Sequence, residues 1–239
     1  EYGRAILLYR EVRYGSNAPA AQRRASALLA LEQDDLDAAL EVLDEFAADS
    51  PQHAVDMTIA KAQLYASKEQ YERSLEFYDR AIEFRPDSEG TVLSRAEILL
   101  RLGRLDDAIA AYTAAAKRWP DSALSLNALG YTLADRTQRY AEAEELIDKA
   151  LKLDPDSPAI IDSHGWVLFK LGRHEEALER LQLAYEAFDD HEVAAHLVEV
   201  LVALDRRDEA IELLAAATEK RPDSPLLDDV RKRLFPETP

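Results

Sequence analysis

The chain has 239 residues, of which 47% are hydrophobic and 32% are charged, and its formal net charge is −18. A chain this acidic is repelled by phosphate backbones, which argues against a nucleic-acid partner. The lack of cysteine excludes disulfides, thiolate metal sites and a cysteine nucleophile. No apolar run approaches the roughly 18 residues of a membrane span.

The N-terminal segment is interpreted as part of a longer protein. Residue 1 is Glu, and the only methionine is Met57. Residues 1–17 fit the second helix of a repeat whose first helix is missing. Any targeting segment would then lie upstream of this sequence.

Prolines recur along the chain at a nearly constant spacing. Pro51, Pro86, Pro120, Pro155 and Pro222 are separated by 35, 34, 35 and 67 residues, and 67 is two periods. Proline cannot continue a helix, so each one marks a helix end. The last four open the tripeptide Pro-Asp-Ser, whose Asp and Ser can cap the next helix.

A period of 34 residues with two helices resembles the tetratricopeptide repeat. Small residues recur in phase with the prolines, and the pair Ala143 and Ala150 shows the seven-residue spacing that places both on one helix face. We predict six full repeats within 20–224, at 20–53, 54–88, 89–122, 123–157, 158–190 and 191–224. A capping helix follows at 225–235, and a frayed tail at 236–239. The predicted fold is all-α, a right-handed superhelical solenoid of tetratricopeptide-type helix pairs.

No arrangement of residues predicts catalysis, a metal or a cofactor. The five histidines are His53, His164, His174, His191 and His196, and no two of them form the i,i+4 pair of a helical zinc site. Asp162, Ser163 and His164 are consecutive on a predicted helix, so their side chains diverge and cannot form a hydrolase triad. We therefore predict a protein that is not an enzyme and has no cofactor.

Repeat proteins bind partners on the concave surface, which the first helix of each repeat lines. The predicted partner-binding residues share these inward positions. They are Arg24, Glu97, Asn127, Tyr131, Asp162, Ser163, Trp166, Phe169, His196 and Glu199. An aromatic cluster of Tyr131, Trp166 and Phe169 is a candidate anchor for a peptide or helix and should then be partly exposed. The alternative is that Trp166 and Phe169 only pack between helices.

Three segments resemble a narrower family than the repeat itself. They are Leu126–Asp135, Asp154–Leu168 and Glu192–Leu197. They are similar to the C-terminal part of a large proteobacterial outer-membrane lipoprotein. Its periplasmic repeats bind and activate a carboxyl-terminal processing serine protease and help to deliver its substrates.

The resemblance implies an adaptor, with the catalytic residues on its partner. It also implies a location on the periplasmic side of the outer membrane, with the lipid-bearing cysteine far upstream. The alternative location is cytoplasmic. The alternative function is a scaffold for envelope assembly or polysaccharide export. In this family an apolar residue is expected where His164 stands.

Overall fold

The protein is built from α-helices. The computed structural model describes residues 2–236, and within that range it contains fourteen α-helices, one short 3₁₀ helix at Pro51–His53 and no β-strand. The predicted all-α class and the number of helices are therefore confirmed. Glu1 and residues 237–239, which include most of the predicted tail, lie outside the described residues.

The helices follow one another with short turns. They are α1 (Tyr2–Glu11), α2 (Ala18–Glu32), α3 (Leu36–Asp49), α4 (Ala54–Ser67), α5 (Tyr71–Phe84), α6 (Glu89–Arg101), α7 (Leu105–Arg118), α8 (Ala123–Arg136), α9 (Tyr140–Leu153), α10 (Pro158–Lys170), α11 (His174–Ala187), α12 (His191–Ala203), α13 (Arg207–Lys220) and α14 (Pro225–Leu234). Two helices fall within each predicted repeat range, although α2 begins two residues before residue 20. The N-terminal helix ends at Glu11, earlier than the predicted residue 17.

The serines of the four Pro-Asp-Ser tripeptides mark helix starts. Ser88, Ser122, Ser157 and Ser224 each occupy the N-cap position of the following helix. The hydroxyl oxygens of Ser122 and Ser224 accept hydrogen bonds from backbone N–H groups three residues later, which satisfies one free donor of the helix. The aspartate of the tripeptide is not the N-cap residue.

The chain divides into two compact units, and the boundary between Ala111 and Tyr112 falls inside α7. In the first unit, Phe46 and Met57 are among the largest buried side chains. In the second unit, a core of buried apolar residues runs from α10 to α14. Each unit thus has its own apolar core between stacked helix pairs.

Small residues let the two helices of a repeat approach closely. Ala108, Ala143, Ala177 and Ala210 are all fully buried, as the repeat pattern predicts. Gly130 of α8 and Gly165 of α10 leave even less space between the helices, because a Cβ at either position would lie less than 3 Å from a side chain of the paired helix. These contacts fix how closely α9 packs on α8 and α11 packs on α10.

Five of the six turns between paired helices use a left-handed residue. Gly103 and Gly172 have φ of +71° and +79°, as expected for glycine at a helix C-terminus. Asp34, Glu69 and Asp205 have positive φ at the corresponding position of three other repeats. The turn geometry is therefore kept even where its sequence signal, glycine, is missing.

Candidate protein-docking face

Eight of the predicted partner-binding residues lie on three helices of the second unit. Asn127 and Tyr131 are on α8, whereas His196 and Glu199 are on α12. The other four, Asp162, Ser163, Trp166 and Phe169, are on α10. α10 contacts both α8 and α12. We call the surface formed by these eight residues the docking face.

Trp166 lies at the centre of this face and is buried. Only 4% of its surface is exposed, so the expectation of a partly exposed indole is wrong. Its ring stacks on the His196 imidazole with centroids 4.0 Å apart, and the Nζ of Lys170 lies 4.0 Å from the indole centroid. Its Nε1–H donates to Oδ1 of Asp135 at 3.3 Å. Neighbouring helices and its own Lys170 cover the ring, which the position on a helix face could not reveal.

Tyr131 and Phe169 are partly exposed, as expected of residues that contact a partner. The Tyr131 hydroxyl donates to Oε1 of Glu192 at 2.5 Å, which joins α8 to α12 across 61 residues of sequence. Burial, and then the charge of Glu192, raise the pKa of Tyr131 far above its usual value, so the phenol stays protonated. The Phe169 ring stacks beside Trp166 with a centroid distance of 5.2 Å.

His196 and Asp162 form a buried pair between α12 and α10. Each is 6% exposed, and the distance from Nδ1 of His196 to Oδ1 of Asp162 is 2.9 Å. Burial by itself disfavours the imidazolium. The charge of Asp162, its hydrogen bond, and the charges of Glu192 and Glu199 outweigh burial and raise the pKa of His196. Both side chains therefore serve contacts within the protein, and neither is open to a partner.

The remaining residues of the docking face differ in burial and in whether their polar groups already have a hydrogen-bond partner. Ser163 is buried and its hydroxyl donates to the backbone carbonyl of Ala159, so the isolated chain does not present it on the surface. Oδ1 of Asn127 is buried and has no hydrogen-bond partner. Glu199 accepts from Nη2 of Arg233 at 2.6 Å. Asn127 is thus the residue of this set whose buried polar group is unsatisfied.

Arg24 and Glu97 lie in the first unit. Arg24 is exposed on α2, and its guanidinium lies 5.9 Å from the centroid of the Tyr9 ring. Glu97 lies on α6 and accepts from Nε of Arg101 at 3.0 Å. They take part in local surface contacts on separate helices. Whether they contact a partner stays a prediction.

Sequence reasoning omitted Glu192, the hydrogen-bond partner of Tyr131. The signal was present in the sequence. Counted from the first residue of each repeat, the predicted inward positions are 2, 5, 6, 9, 12 and 13, and Glu192 stands at the second position of its repeat. A polar residue at an inward position was a candidate for this reason alone. The pairing with Tyr131 needed the packing of α8 and α12.

Across residues 2–236, no group of three or more His, Asp and Glu side chains lies together in a way that could hold a metal ion. Within the same part of the chain, no helix is both long and apolar enough to cross a bilayer. Most polar groups of the docking face are bonded within the protein, His196 to Asp162 and the others to residues outside the set of eight.

Family models of the tetratricopeptide repeat match most of the chain. One matches residues 24–89 and 93–158, and a second matches residues 168–234. A Pseudomonas aeruginosa protein, TPR repeat-containing protein PA4667, is 37% identical over 196 residues, which are 82% of this chain. The aligned region is only 33% of that relative, so the chain corresponds to about a third of its length.

Solved structures of similar fold include the thermophilic TPR protein TTC0263 of Thermus thermophilus. It has a TM-score of 0.66 and 21% identity, and the match covers 76% of this chain and 97% of that one. A chain of the APC/C hetero-tetramer Cut9-Hcn1 has a TM-score of 0.73 and 17% identity, with coverage of 98% and 46%. PilF of Pseudomonas aeruginosa has a TM-score of 0.61 and 15% identity, with coverage of 96% and 98%.

At these identities the solved structures show a shared fold and nothing finer. The family models span more than half of the chain, over the region that is built from helix pairs. Tetratricopeptide repeats are generally non-catalytic modules for protein interaction. The chain belongs to the tetratricopeptide repeat family.

Proposed function

We propose that this chain is a non-catalytic adaptor that binds a protein segment on the docking face. The observation that carries the proposal is the set of contacts joining α8, α10 and α12. Tyr131–Glu192, Trp166–Asp135 and His196–Asp162 tie the three helices pairwise. A surface fixed in this way loses little entropy when a partner binds, and this favours affinity.

Partly exposed rings provide the contact area on this surface. Tyr131 and Phe169 are each partly exposed, and their rings also lie beside His196 and Trp166 respectively. Aromatic residues of this kind are enriched among the side chains that dominate binding energy. Phe169 is the better candidate for direct contact, because the Tyr131 hydroxyl is already bonded to Glu192.

For the partner, we propose a carboxyl-terminal processing protease, which the adaptor would activate and supply with substrates. This rests on the resemblance of segments 126–135, 154–168 and 192–197 to the protease-binding lipoprotein. The same resemblance supports a periplasmic location with an upstream lipid anchor. Fractionation of cells producing the full-length protein tests the location, and recovery in the cytosol would contradict it.

The partner is tested by affinity purification from envelope extracts with the chain as bait. We expect the processing protease, identified by mass spectrometry, and a faster degradation of an unfolded reporter protein when the purified chain is added to it. Recovery of an envelope assembly or export complex without the protease would instead favour the alternative scaffold.

The docking face is tested with two matched variants. Phe169→Ala should weaken binding of the protease by about 1–2 kcal/mol, the range of a significant interface residue. Phe188→Ala removes the same ring from the residue that follows α11, where 59% of it is exposed, and it should leave binding unchanged. Equal binding by both variants would move the interface off the docking face.

A further inference from the structure

His196 of α12 contacts side chains of both other helices of the docking face. It lies on α12, bonds to Asp162 of α10, stacks on Trp166 of α10 and lies 6.1 Å from the Tyr131 ring of α8. α10 and α12 otherwise share few contacts, whereas each packs closely on the second helix of its own repeat. α11 packs against both α10 and α12, and His196 adds a hydrogen bond and a ring contact directly between those two helices.

The charges around His196 are mainly negative. Asp162 and Trp166 face it from α10, and Glu192 and Glu199 lie on its own helix. From α8, Tyr131 approaches the imidazole, and its hydroxyl is held by Glu192. The cations nearby are already engaged. The Nζ of Lys170 in α10 lies over the Trp166 ring, and Arg233 of α14 is paired with Glu199.

The strength of the His196–Asp162 contact, which ties α12 to α10, depends on whether His196 is protonated. With a proton on each ring nitrogen, His196 is a cation bonded to a buried carboxylate, and charge-assisted hydrogen bonds are about twice as strong as neutral ones. Without that proton, a neutral imidazole faces Asp162 while the carboxylate stays buried, which is costly. Trp166 stacks on His196 and the Phe169 ring stacks on Trp166, so the placement of both rings depends on where His196 is held.

We propose that His196 is a positioning residue of the docking face, which holds α12 against α10 more strongly when protonated, so that docking is tighter at pH 6 than at pH 8. This inference rests on the proposed function for its binding part only. The tie between the helices can be measured without any partner.

The sign of the effect follows from proton linkage. The folded protein holds the His196 proton to a higher pH than the unfolded chain, because the pKa of His196 is raised. Its contribution to stability is therefore fully present below the unfolded histidine pKa of about 6.5 and is lost as pH rises through the folded value. A docking face ordered by this contact should lose affinity over the same interval.

The first measurement uses the chain alone. Asp162→Asn keeps the size and a hydrogen-bond acceptor but removes the charge. We expect the NMR titration midpoint of the His196 ring to lie above 6.5 in the parent and to fall by at least about one unit in Asp162→Asn, which corresponds to a tenfold change in proton affinity. His53→Asn, in the first unit, is the control and should not move it. A midpoint unchanged by Asp162→Asn would refute the tie.

The second measurement is the dissociation constant for the processing protease of the same genome, with its nucleophilic serine changed to alanine. We expect the parent to bind about fivefold or more tightly at pH 6 than at pH 8, the lower end of typical coupling between sites. Asp162→Asn should bind with less than about twofold difference between the two pH values. If that variant does not fold, the pair Asp162→Leu with His196→Phe gives an apolar replacement, since such swaps are often tolerated.

The outcomes separate the two ideas. The parent protein could bind the protease equally well at both pH values while the His196 midpoint behaves as expected. That result would refute the coupling between His196 and docking and leave the adaptor function standing. No binding of the protease at either pH would overturn the proposed partner and the docking part of the inference. The NMR titration then decides the tie between α10 and α12.

Discussion

Gly165 of α10 packs against Leu181 of α11 with no room for a side chain. A Cβ at residue 165 would lie 2.6 Å from Cγ of Leu181 and 3.2 Å from its backbone nitrogen. Because a backbone atom cannot move away as a side chain can, Gly165→Ala should lower the free energy of unfolding by about 1–3 kcal/mol through overpacking. Urea denaturation measures this loss.

Gly90 of α6 is the matched control for that substitution. A Cβ there has no atom within 4 Å, and the residue is helical. Gly90→Ala should therefore be neutral or stabilise by up to about 1 kcal/mol, since glycine in a helix costs roughly that relative to alanine. A similar loss in both variants would mean that α10 and α11 do not pack as described.

A larger side chain in place of a fully buried alanine should lower the stability of the fold. Ala177→Leu adds three carbons where no surface is exposed, and it should cost about 1–3 kcal/mol by forcing the helices of its repeat apart. Ala216→Leu is the control, because Ala216 lies on an exposed face of α13. Thermal melts compare the two, and an Ala177→Leu protein as stable as the parent would contradict the close crossing.

Replacing Glu69 by glycine should stabilise the first unit. Glu69 has φ of +57° at the turn between α4 and α5, and this left-handed conformation costs a side-chain-bearing residue on the order of 1 kcal/mol. Glu69→Gly should therefore raise the free energy of unfolding by up to that amount. Lys68, with φ of −98°, gains nothing from glycine, so Lys68→Gly should not stabilise. Chemical denaturation of the pair decides the question.

Trp166→Ala should act on stability first. The indole is buried and makes a hydrogen bond and two ring contacts, so its removal should cost about 3–5 kcal/mol, the usual range for a large buried side chain. Phe188→Ala, at an exposed ring, should stay within about 0.5 kcal/mol of the parent. Differential scanning calorimetry tests both. A Trp166→Ala chain as stable as the parent would restore the exposed-anchor interpretation.

His164 should make the protein sensitive to acid. Burial, opposed by Asp148 and assisted by Arg180, lowers the pKa of His164, and its Nδ1 is buried without a hydrogen-bond partner. The unfolded chain therefore takes up a proton near pH 6.5 before the folded chain does, so stability is lost as pH falls below about 6.5. His164→Leu should remove this loss and stabilise by about 1–3 kcal/mol at pH 6, since a buried unsatisfied polar group is replaced by an apolar one.

The check is unfolding in urea at pH 5.5 and pH 7.5. The difference in unfolding free energy between the two pH values should shrink in His164→Leu and stay as in the parent in His53→Leu, whose ring is partly exposed. An unchanged pH dependence in His164→Leu would show that His164 is protonated equally in both states.

The sequence by itself determined the repeat and its phase. Proline cannot continue a helix, so Pro155 indicates a helix end. A buried helix crossing admits only small residues, so Ala143 indicates a helix contact. Neither inference needs the rest of the chain. The phase of the repeat also assigned Tyr131, Trp166 and His196 to one face, because the first helices of successive repeats line the same surface.

Only the tertiary structure decided what each residue does on that face. The depth of Trp166 is set by His196, which comes thirty residues later, and the hydroxyl of Tyr131 meets Glu192 across two repeats. The positive φ of Glu69 is likewise seen only in the structure, since no glycine signals it in the sequence. Periodicity fixes the direction in which a side chain points, whereas its exposure and its partners depend on the helices that pack over it.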